Sequence, residues 1–225
     1  ESDAAIEVLG ALVAERPELA SLQAAYADIL RRNERYEEAI EAYTAVLDLV
    51  DADLERYWFI HYARAISHHQ LDDWPPAEAD FRRALELNPD QPNVLNYLGY
   101  SLVEQRRNFD EALDMIQRAV AARPDSGFIV DSLAWVYYRL GRFDEAVVPM
   151  ERAVELEPND WILNDHLGDI YWMVGRYREA EFQWERSLSF DPDDEDELAR
   201  IRRKIEVGLY QVLEEEGGVG VLTEE

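Results

Sequence analysis

GFIVDSLAWVYYRLGRFDEAVVPMERAVELEPND (Gly127–Asp160) is followed directly by WILNDHLGDIYWMVGRYREAEFQWERSLSFDPDD (Trp161–Asp194), and these two stretches decide the fold. Each is 34 residues long, and they align without a gap. Residues of the same kind recur at the same places: Leu133-Ala134 and Leu167-Gly168, Tyr137 and Tyr171, Gly141 and Gly175, Phe143 and Tyr177, Ala146 and Ala180, Met150 and Trp184, Pro158 and Pro192. Self-similarity at a fixed interval of this length is typical of repeat proteins.

The spacing within each stretch predicts two α-helices separated by a tight turn. Gly141 and Gly175 lie at this turn, where glycine tolerates the left-handed backbone that ends a helix. Ala134 and Gly168 are small enough for paired helices to approach closely, and Pro158 ends the second helix. One helix pair cannot bury its apolar face alone, so successive pairs must stack. The pattern therefore predicts an all-α solenoid.

The repeat unit resembles that of the tetratricopeptide repeat (TPR) superfamily. The resemblance implies a right-handed superhelix of antiparallel helix pairs, in which the first helix of each pair lines a concave groove. Within residues 18–194 we predict five repeats, at Ala20–Tyr57, Trp58–Gln91, Pro92–Ser126, Gly127–Asp160 and Trp161–Asp194. Residues 1–17 form either half of a preceding repeat or a capping helix, residues 195–215 form one C-terminal capping helix, and residues 216–225 form a flexible tail.

Four places depart from the regular pattern. The first repeat is 38 residues long, with four extra residues near Asp51–Glu55. Asp72-Asp73 stands where the second repeat would have its turn glycine, and the third repeat holds one extra residue near Arg106–Asn108. Pro149 lies inside the second helix of the fourth repeat. It removes the hydrogen bond to the carbonyl of Glu145, which predicts a kink there.

Composition limits the classes of function. Among 225 residues, 49 acidic against 22 basic side chains give a net charge of −27. This balance argues against binding to nucleic acid or to anionic membranes. The absence of cysteine excludes disulfides, thiolate zinc sites and a cysteine nucleophile. No apolar run is long enough to predict a membrane span.

Candidate binding residues follow from the resemblance, which assigns particular places of each first helix to the groove. The candidates at these places are Phe59, Tyr62, His69, Asn93, Asn96, Tyr100, Phe128, Asp131, Trp135, Tyr138, Arg139, Asp165, Asp169 and Trp172. Aromatic side chains gathered in a concave surface are typical of binding hot spots. The alternative is that some of these aromatic residues only pack between adjacent first helices.

The polar candidates indicate what kind of partner would fit. Asn93 and Asn96 suit hydrogen bonds to the backbone of an extended peptide. Asp131, Asp165 and Asp169 favour a basic or amine-bearing ligand. The groove places hold no lysine, which argues against the carboxylate clamp with which one TPR subclass binds carboxyl-terminal peptides.

No catalytic constellation is visible, so we expect no enzyme activity and no cofactor. His61, His68, His69 and His166 include no His-x-x-x-His pair, which argues against a metal site. No nucleophile has a positioned base in the sequence pattern. Carboxylates are abundant, but on a charged helical surface they are usually solvated.

Three stretches are similar to a narrower group of TPR proteins: Leu95–Gln105 (LNYLGYSLVEQ), Ile129–Gly141 (IVDSLAWVYYRLG) and Asn164–Leu188 (NDHLGDIYWMVGRYREAEFQWERSL). This group comprises adaptors of the Gram-negative envelope, including lipoproteins that partner a carboxyl-terminal processing protease. The resemblance implies a location on the periplasmic side of the envelope, lipid-anchored in the full-length protein, with a protease or its substrate as partner. A cytoplasmic location is the alternative.

The predicted function is that of a non-catalytic scaffold or adaptor for protein–protein interaction. A partner segment, protein or peptide, would bind in the aromatic groove. The alternative is a structural TPR protein that self-associates into homo-oligomers.

Overall fold

The computed structural model describes residues 2–192 and 194–217, which form thirteen α-helices and no strand. The helices are α1 Ser2–Glu15, α2 Ala20–Arg32, α3 Tyr36–Leu49, α4 Trp58–Gln70, α5 Trp74–Leu87, α6 Pro92–Glu104, α7 Phe109–Ala122, α8 Gly127–Arg139, α9 Phe143–Leu156, α10 Trp161–Met173, α11 Tyr177–Leu188, α12 Glu195–Val207 and α13 Leu209–Glu215. A 3₁₀ turn, Glu55–Tyr57, precedes α4. The chain divides into two compact bodies, with α1 to α5 in the N-terminal one and α7 to α13 in the C-terminal one, and the division falls after Val94, within α6. The prediction of an all-α fold built from paired helices is confirmed.

The turns between the two helices of a pair share the same backbone conformation and the same hydrogen bond. Each turn has a residue with positive φ at the same place: Glu34 (60°), Asp72 (57°), Arg106 (55°), Gly141 (71°) and Gly175 (79°). The next backbone N–H then donates to the carbonyl five residues earlier, as from Arg142 to Tyr137 at 2.9 Å and from Arg176 to Tyr171 at 2.8 Å. This bond satisfies a carbonyl at the helix end that would otherwise lack a partner. The third repeat accommodates its extra residue with a second positive φ, 52° at Asn108.

In the N-terminal body, α1 packs on α2, α2 on α3, α3 on α4 and α4 on α5. Ala27 and Ala39 are fully buried, as are Leu30 and Tyr43, so small and large side chains alternate in this core. Gly10 of α1 lies against the Tyr26 ring, where an added Cβ would meet the hydroxyl at 3.4 Å. A small residue therefore suits the place where these two helices meet.

A buried ionic cluster joins α4 to α5. Asp80 accepts hydrogen bonds from Arg64 Nε at 2.7 Å and Nη2 at 2.8 Å, and its Oδ1 lies 3.0 Å from His61 Nδ1. Arg64 also donates to the Thr44 hydroxyl of α3 at 3.0 Å. Burial alone would raise the pKa of Asp80, but the hydrogen bonds and charges of Arg64 and His61 outweigh it and lower this pKa. The cluster therefore ties three consecutive helices together.

Asp80→Asn is expected to reduce the free energy of unfolding by about 2 kcal/mol at pH 7, because it weakens hydrogen bonds to a charged group. A lowered folded pKa stabilises the protein above the unfolded value, about 3.9, and this contribution is lost as pH falls through the folded pKa. Urea denaturation should show the difference between the two proteins shrinking in acid. Asp53→Asn, at an exposed pair with Arg83, is the matched control and should change nothing measurable. A difference that persists unchanged at low pH would contradict the ionic explanation.

The C-terminal body is built around the pairs α8–α9 and α10–α11. Met150 and Trp184 are fully buried at equivalent places of these pairs. An added Cβ at Gly168 would meet Trp184 Cδ1 at 2.4 Å, so this glycine gives the indole its space. Gly99 of α6 similarly lies against Ile116 of α7. The predicted role of small residues in close helix approach is confirmed.

The C-terminal cap differs from the prediction. Instead of one helix over residues 195–215, α12 and α13 meet at Gly208, which has a φ of 83°. The single-helix prediction is wrong because Gly208 lies against the Trp172 ring, where a Cβ would come within 2.3 Å of Cζ2. Glu216, assigned to a flexible tail, instead accepts a hydrogen bond from Arg200 Nε at 2.7 Å. The tail beyond Gly217 lies outside the described residues.

α9 includes Pro149 within the range Phe143–Leu156. The predicted kink stays a prediction.

Candidate functional site

One face of the C-terminal body holds most of the candidate binding residues, and it is formed by the first helices α8 and α10 and by the part of α6 that follows Val94. We call it the first-helix face. Phe128 of α8 and Ile162 of α10 occupy equivalent places in their repeats, and they are 55% and 40% exposed. Trp135, Tyr100 and Asn96 are half-buried. Apolar side chains are thus exposed at repeated positions of this face.

A stack of three rings joins α8 to α10. The Trp135 ring lies 4.7 Å from that of Tyr138 and 4.0 Å from that of His166, nearly parallel to both. His166 Nδ1 lies 2.9 Å from Asp131 Oδ1, so the imidazole is held at its edge as well as its face. The stack holds Trp135 in one orientation.

Two candidates are buried here, contrary to the prediction: Tyr138 in the stack and Asp131 beside it. Tyr138 is only 4% exposed, and burial is the main cause that raises the pKa of its hydroxyl. Asp131 is also buried and is directed at His166 rather than at a ligand. Tyr138 instead packs in the core of its own repeat, where its ring contacts that of Trp135 on the same helix and the Phe143 ring of α9, 5.5 Å away.

Arg139 is paired within the protein. Its Nη1 donates to Glu104 Oε1 of α6 at 2.5 Å, so the one guanidinium among the candidates is already neutralised. Tyr100 lies half-buried nearby, and burial followed by the charge of Glu104 raises the pKa of its hydroxyl. Within the described part of the chain, Asn96 Oδ1 and Arg139 Nε are buried without a hydrogen-bond partner. A buried polar atom of this kind calls for a bound water or a ligand group.

The carboxylates of α10 are occupied by a lysine from α12. Lys204 Nζ lies 2.6 Å and 2.7 Å from the two oxygens of Asp165 and 2.7 Å from Asp169 Oδ1. Trp184 Nε1 also donates to Asp169 Oδ1, at 2.9 Å, and Arg200 Nη1 lies 3.9 Å from Asp169 Oδ2. Burial raises the pKa of Asp169, against the opposing charge of Lys204. This cluster links the cap to the last repeat.

The cap therefore covers the candidates of the fifth repeat. Asp165 and Asp169 are buried under Lys204, and Trp172 packs against Trp184 at 5.4 Å and Tyr210 at 6.3 Å. The prediction that Asp165 and Asp169 face a partner is wrong because Lys204 of α12 occupies their carboxylates, whereas Trp172 remains half-buried beside α13. Lys204 was missed, although the sequence offers a signal: it lies three residues after Ile201 and next to Ile205, on the apolar stripe of its helix.

Of the other candidates, Phe59, Tyr62 and His69 lie in the N-terminal body, and Asn93 lies in the first turn of α6. Phe59 is 42% exposed at the start of α4, and Asn93 is exposed with its backbone N–H bonded to Gln91 Oε1 at 2.9 Å. Tyr62 is half-buried between the rings of Trp58 and Phe81. The His69 ring meets that of Trp74 edge-on at 5.8 Å, and burial lowers its pKa.

A groove between α7, α8 and α9 lies on another surface of the C-terminal body. It has a volume of about 660 Å³ and includes Val120, Leu133, Tyr137 and Val148 in its lining. A smaller groove of about 360 Å³ lies one repeat further on, with Leu167 and Tyr171 at the equivalent places. Neither groove contains the candidate residues.

Across residues 2–192 and 194–217, no three His, Cys, Asp or Glu side chains are grouped so that they could hold a metal ion. Over the same ranges no helix combines the length and apolar character needed to cross a bilayer.

The comparison with protein families decides the classification. The family profile of the tetratricopeptide repeat matches residues 1–53, 62–127 and 132–195. The chain belongs to the tetratricopeptide repeat family. TPR proteins are generally non-catalytic repeat scaffolds, and the TPR fold implies protein or peptide partners.

This TPR chain is similar in sequence to a curated protein and in fold to two solved structures. It is 30% identical over 141 residues to the TPR repeat-containing protein PA4667 of Pseudomonas aeruginosa, covering 62% of this chain and 23% of that protein. A tetratricopeptide repeat protein from Parabacteroides merdae has the same fold, with a TM-score of 0.75 at 22% identity over 93% of this chain and 81% of the other. YrrB, a TPR protein with an unusual peptide-binding site, gives a TM-score of 0.64 at 20% identity over 88% of this chain and 99% of its own.

Proposed function

We propose that this chain is a non-catalytic interaction scaffold that binds a segment of a partner protein on its first-helix face. The observation that carries the proposal is the exposure of Phe128 and Ile162 at equivalent places of adjacent repeats, beside a Trp135 ring held in a fixed orientation. Exposed apolar side chains next to a rigid aromatic residue are the features of a binding hot spot. YrrB, with the same fold, has a peptide-binding site.

Charge indicates the chemistry of the partner. The chain has a net charge of −27, and Arg139, a cation on the face, is paired with Glu104. A basic segment would therefore be attracted, whereas an acidic one would be repelled. Its apolar side chains would contact Phe128 and Ile162, and an N–H group or a water would satisfy Asn96 Oδ1.

The test compares two exposed pairs of side chains. Phe128→Ser/Ile162→Ser changes the first-helix face, whereas Phe182→Ser/Val148→Ser changes second helices, where these side chains are 59% and 72% exposed. A partner captured from the source organism is purified and its affinity for each variant is measured by calorimetry. We expect a loss of at least tenfold for the first pair and none for the second, since hot-spot truncations cost about 2 kcal/mol or more.

Unchanged melting temperatures of both variants serve as the control for folding, since all four side chains are exposed. Loss of affinity in the second pair alone would move the site to the groove beside Val148 and would contradict the proposal.

A more specific proposal follows from the resemblance to envelope adaptors. We propose that the chain acts on the periplasmic side of a Gram-negative envelope, as part of a lipid-anchored adaptor that brings a processing protease to its substrate. The support is the similarity of three stretches in the third to fifth repeats. Fractionation of the cells followed by crosslinking tests it, and recovery of the protein in the cytoplasmic fraction would favour the alternative location.

Self-association is the second candidate function. The observation that supports it is the exposure of apolar side chains on α1 of the N-terminal body, where Val8 is 60% and Leu12 is 40% exposed. Exposed apolar residues on one helix are compatible with contact between copies. Light scattering over a concentration series decides, since a constant monomer mass would exclude it.

A further inference from the structure

We propose that His166 is a pH-sensitive latch: its charged imidazolium holds Trp135 in the observed stack, and loss of that charge loosens the first-helix face. The inference deepens the proposed function, because it concerns the regulation of the same face. The structural part of the inference does not need a partner, so it can be tested on the isolated chain.

The position of His166 couples two helices. Its ring lies 4.0 Å from the Trp135 ring at an interplanar angle of 18°, and its Nδ1 is 2.9 Å from Asp131 Oδ1. Both partners are on α8, whereas His166 is on α10. A charged imidazolium is attracted to the face of an indole and strengthens the hydrogen bond to a carboxylate. Both contacts therefore weaken when the ring becomes neutral.

The charges around His166 come from three further helices as well as its own. Asp131 and Arg139 lie on α8, and Arg139 is neutralised by Glu104 of α6. Asp165 and Asp169 lie on α10, and they receive Lys204 and Arg200 from α12. Three buried carboxylates thus face two cations, and Arg200 also pairs with the more exposed Glu216. A protonated His166 offsets part of this excess negative charge, whereas a neutral one leaves all of it in a place where water is scarce.

The direction of the titration agrees with this geometry. Burial alone would lower the pKa of His166, but the charge and hydrogen bond of Asp131, with the charges of Asp165 and Asp169, outweigh it and raise this pKa. A raised folded pKa means that the stabilisation is complete below the unfolded value, about 6.5. It is lost as pH rises through the folded pKa. The latch is therefore closed in mild acid and opens towards alkaline pH.

His69 offers a matched control within the same chain. Its ring also contacts a tryptophan, Trp74, but edge-on, and burial lowers its pKa. An effect of pH that follows His166 and not His69 would be specific to the latch.

The experiment is an NMR titration of the full chain between pH 5 and 9, following the histidine ring protons and the indole N–H of Trp135. His166 is assigned with His166→Gln, and Trp135 with Trp135→Phe. We expect the His166 midpoint above 6.5 and the His69 midpoint below it. The Trp135 signal should shift with the His166 midpoint.

Three variants separate the latch from a merely structural role. Asp131→Asn should lower the His166 midpoint, and His69→Gln should leave the Trp135 titration unchanged. His166→Phe keeps a ring against Trp135 but should abolish the pH-dependent shift of the indole. A His166 midpoint at or below 6.5, or an indole shift of Trp135 that does not change with pH in the native chain, would overturn the proposal.

The outcome is distinguishable from that of the proposed function. If Phe128→Ser/Ile162→Ser leaves the partner affinity unchanged, the proposed binding on the first-helix face is contradicted, but the result of the titration remains valid. If that variant loses affinity but the titration shows none of the expected shifts, only the latch proposal is contradicted.

Discussion

Lys204→Met is expected to reduce the free energy of unfolding by about 3–5 kcal/mol, because it leaves buried carboxylates without their cation. Lys204 is fully buried, and its ammonium lies within 2.7 Å of both Asp165 and Asp169. Methionine retains much of the volume of the side chain, so the loss would report the charge rather than a cavity. Urea denaturation at pH 7, followed by tryptophan fluorescence, measures it.

A second substitution tests the charge explanation. Lys204→Met/Asp165→Asn leaves Asp169 with Arg200, 3.9 Å away, and so restores equal numbers of opposite charges. We expect this double variant to recover at least half of the loss. Arg203→Met, on the exposed pair with Glu215, is the matched control and should have no measurable effect. If Lys204→Met alone is as stable as the native chain, the cap is not held by this cluster.

The other large effect is expected at the junction of α10 and α11. Gly168→Ala should cost about 1–3 kcal/mol, the usual range for overpacking a core. The new Cβ would lie 2.4 Å from Trp184 Cδ1, and the indole is fully buried with its Nε1 bonded to Asp169. The ring cannot move aside without losing that bond. The change in urea midpoint measures the cost.

The preceding repeat supplies the control for this prediction. It has Ala134 and Met150 where the fifth repeat has Gly168 and Trp184. In a Trp184→Met background, Gly168→Ala should therefore cost little or nothing, since the pair then matches a combination the fold already uses. An equal cost in both backgrounds would show that the alanine disturbs something other than the indole.

Much of the fold could be predicted from the recurrence of a few residue types. Gly141 and Gly175 identified the turns, and the equivalent turn at Asp72 was located although an aspartate replaces the glycine. The same left-handed backbone occurs at all three. The pattern could not predict how α12 and α13 divide, because the break at Gly208 depends on contact with Trp172, 36 residues earlier in the chain.

The candidate site was predicted less well than the fold. Positions within a first helix indicate which side chains share a face, and Phe128 is indeed exposed there. They do not indicate what else covers that face. Asp165, Asp169 and Trp172 were assigned to a partner, whereas the chain's own cap occupies them.

The sequence by itself determined the repeat, the helix pairs and the turns. These depend on residues close together in the chain, and the same residue types recur at the same places in successive repeats. Tertiary structure alone decided which polar groups are open and which are paired. Lys204 meets Asp165 across 39 residues, and His166 meets Asp131 across 35. Pairings over such distances depend on how helices from different repeats approach, and no local pattern contains that information.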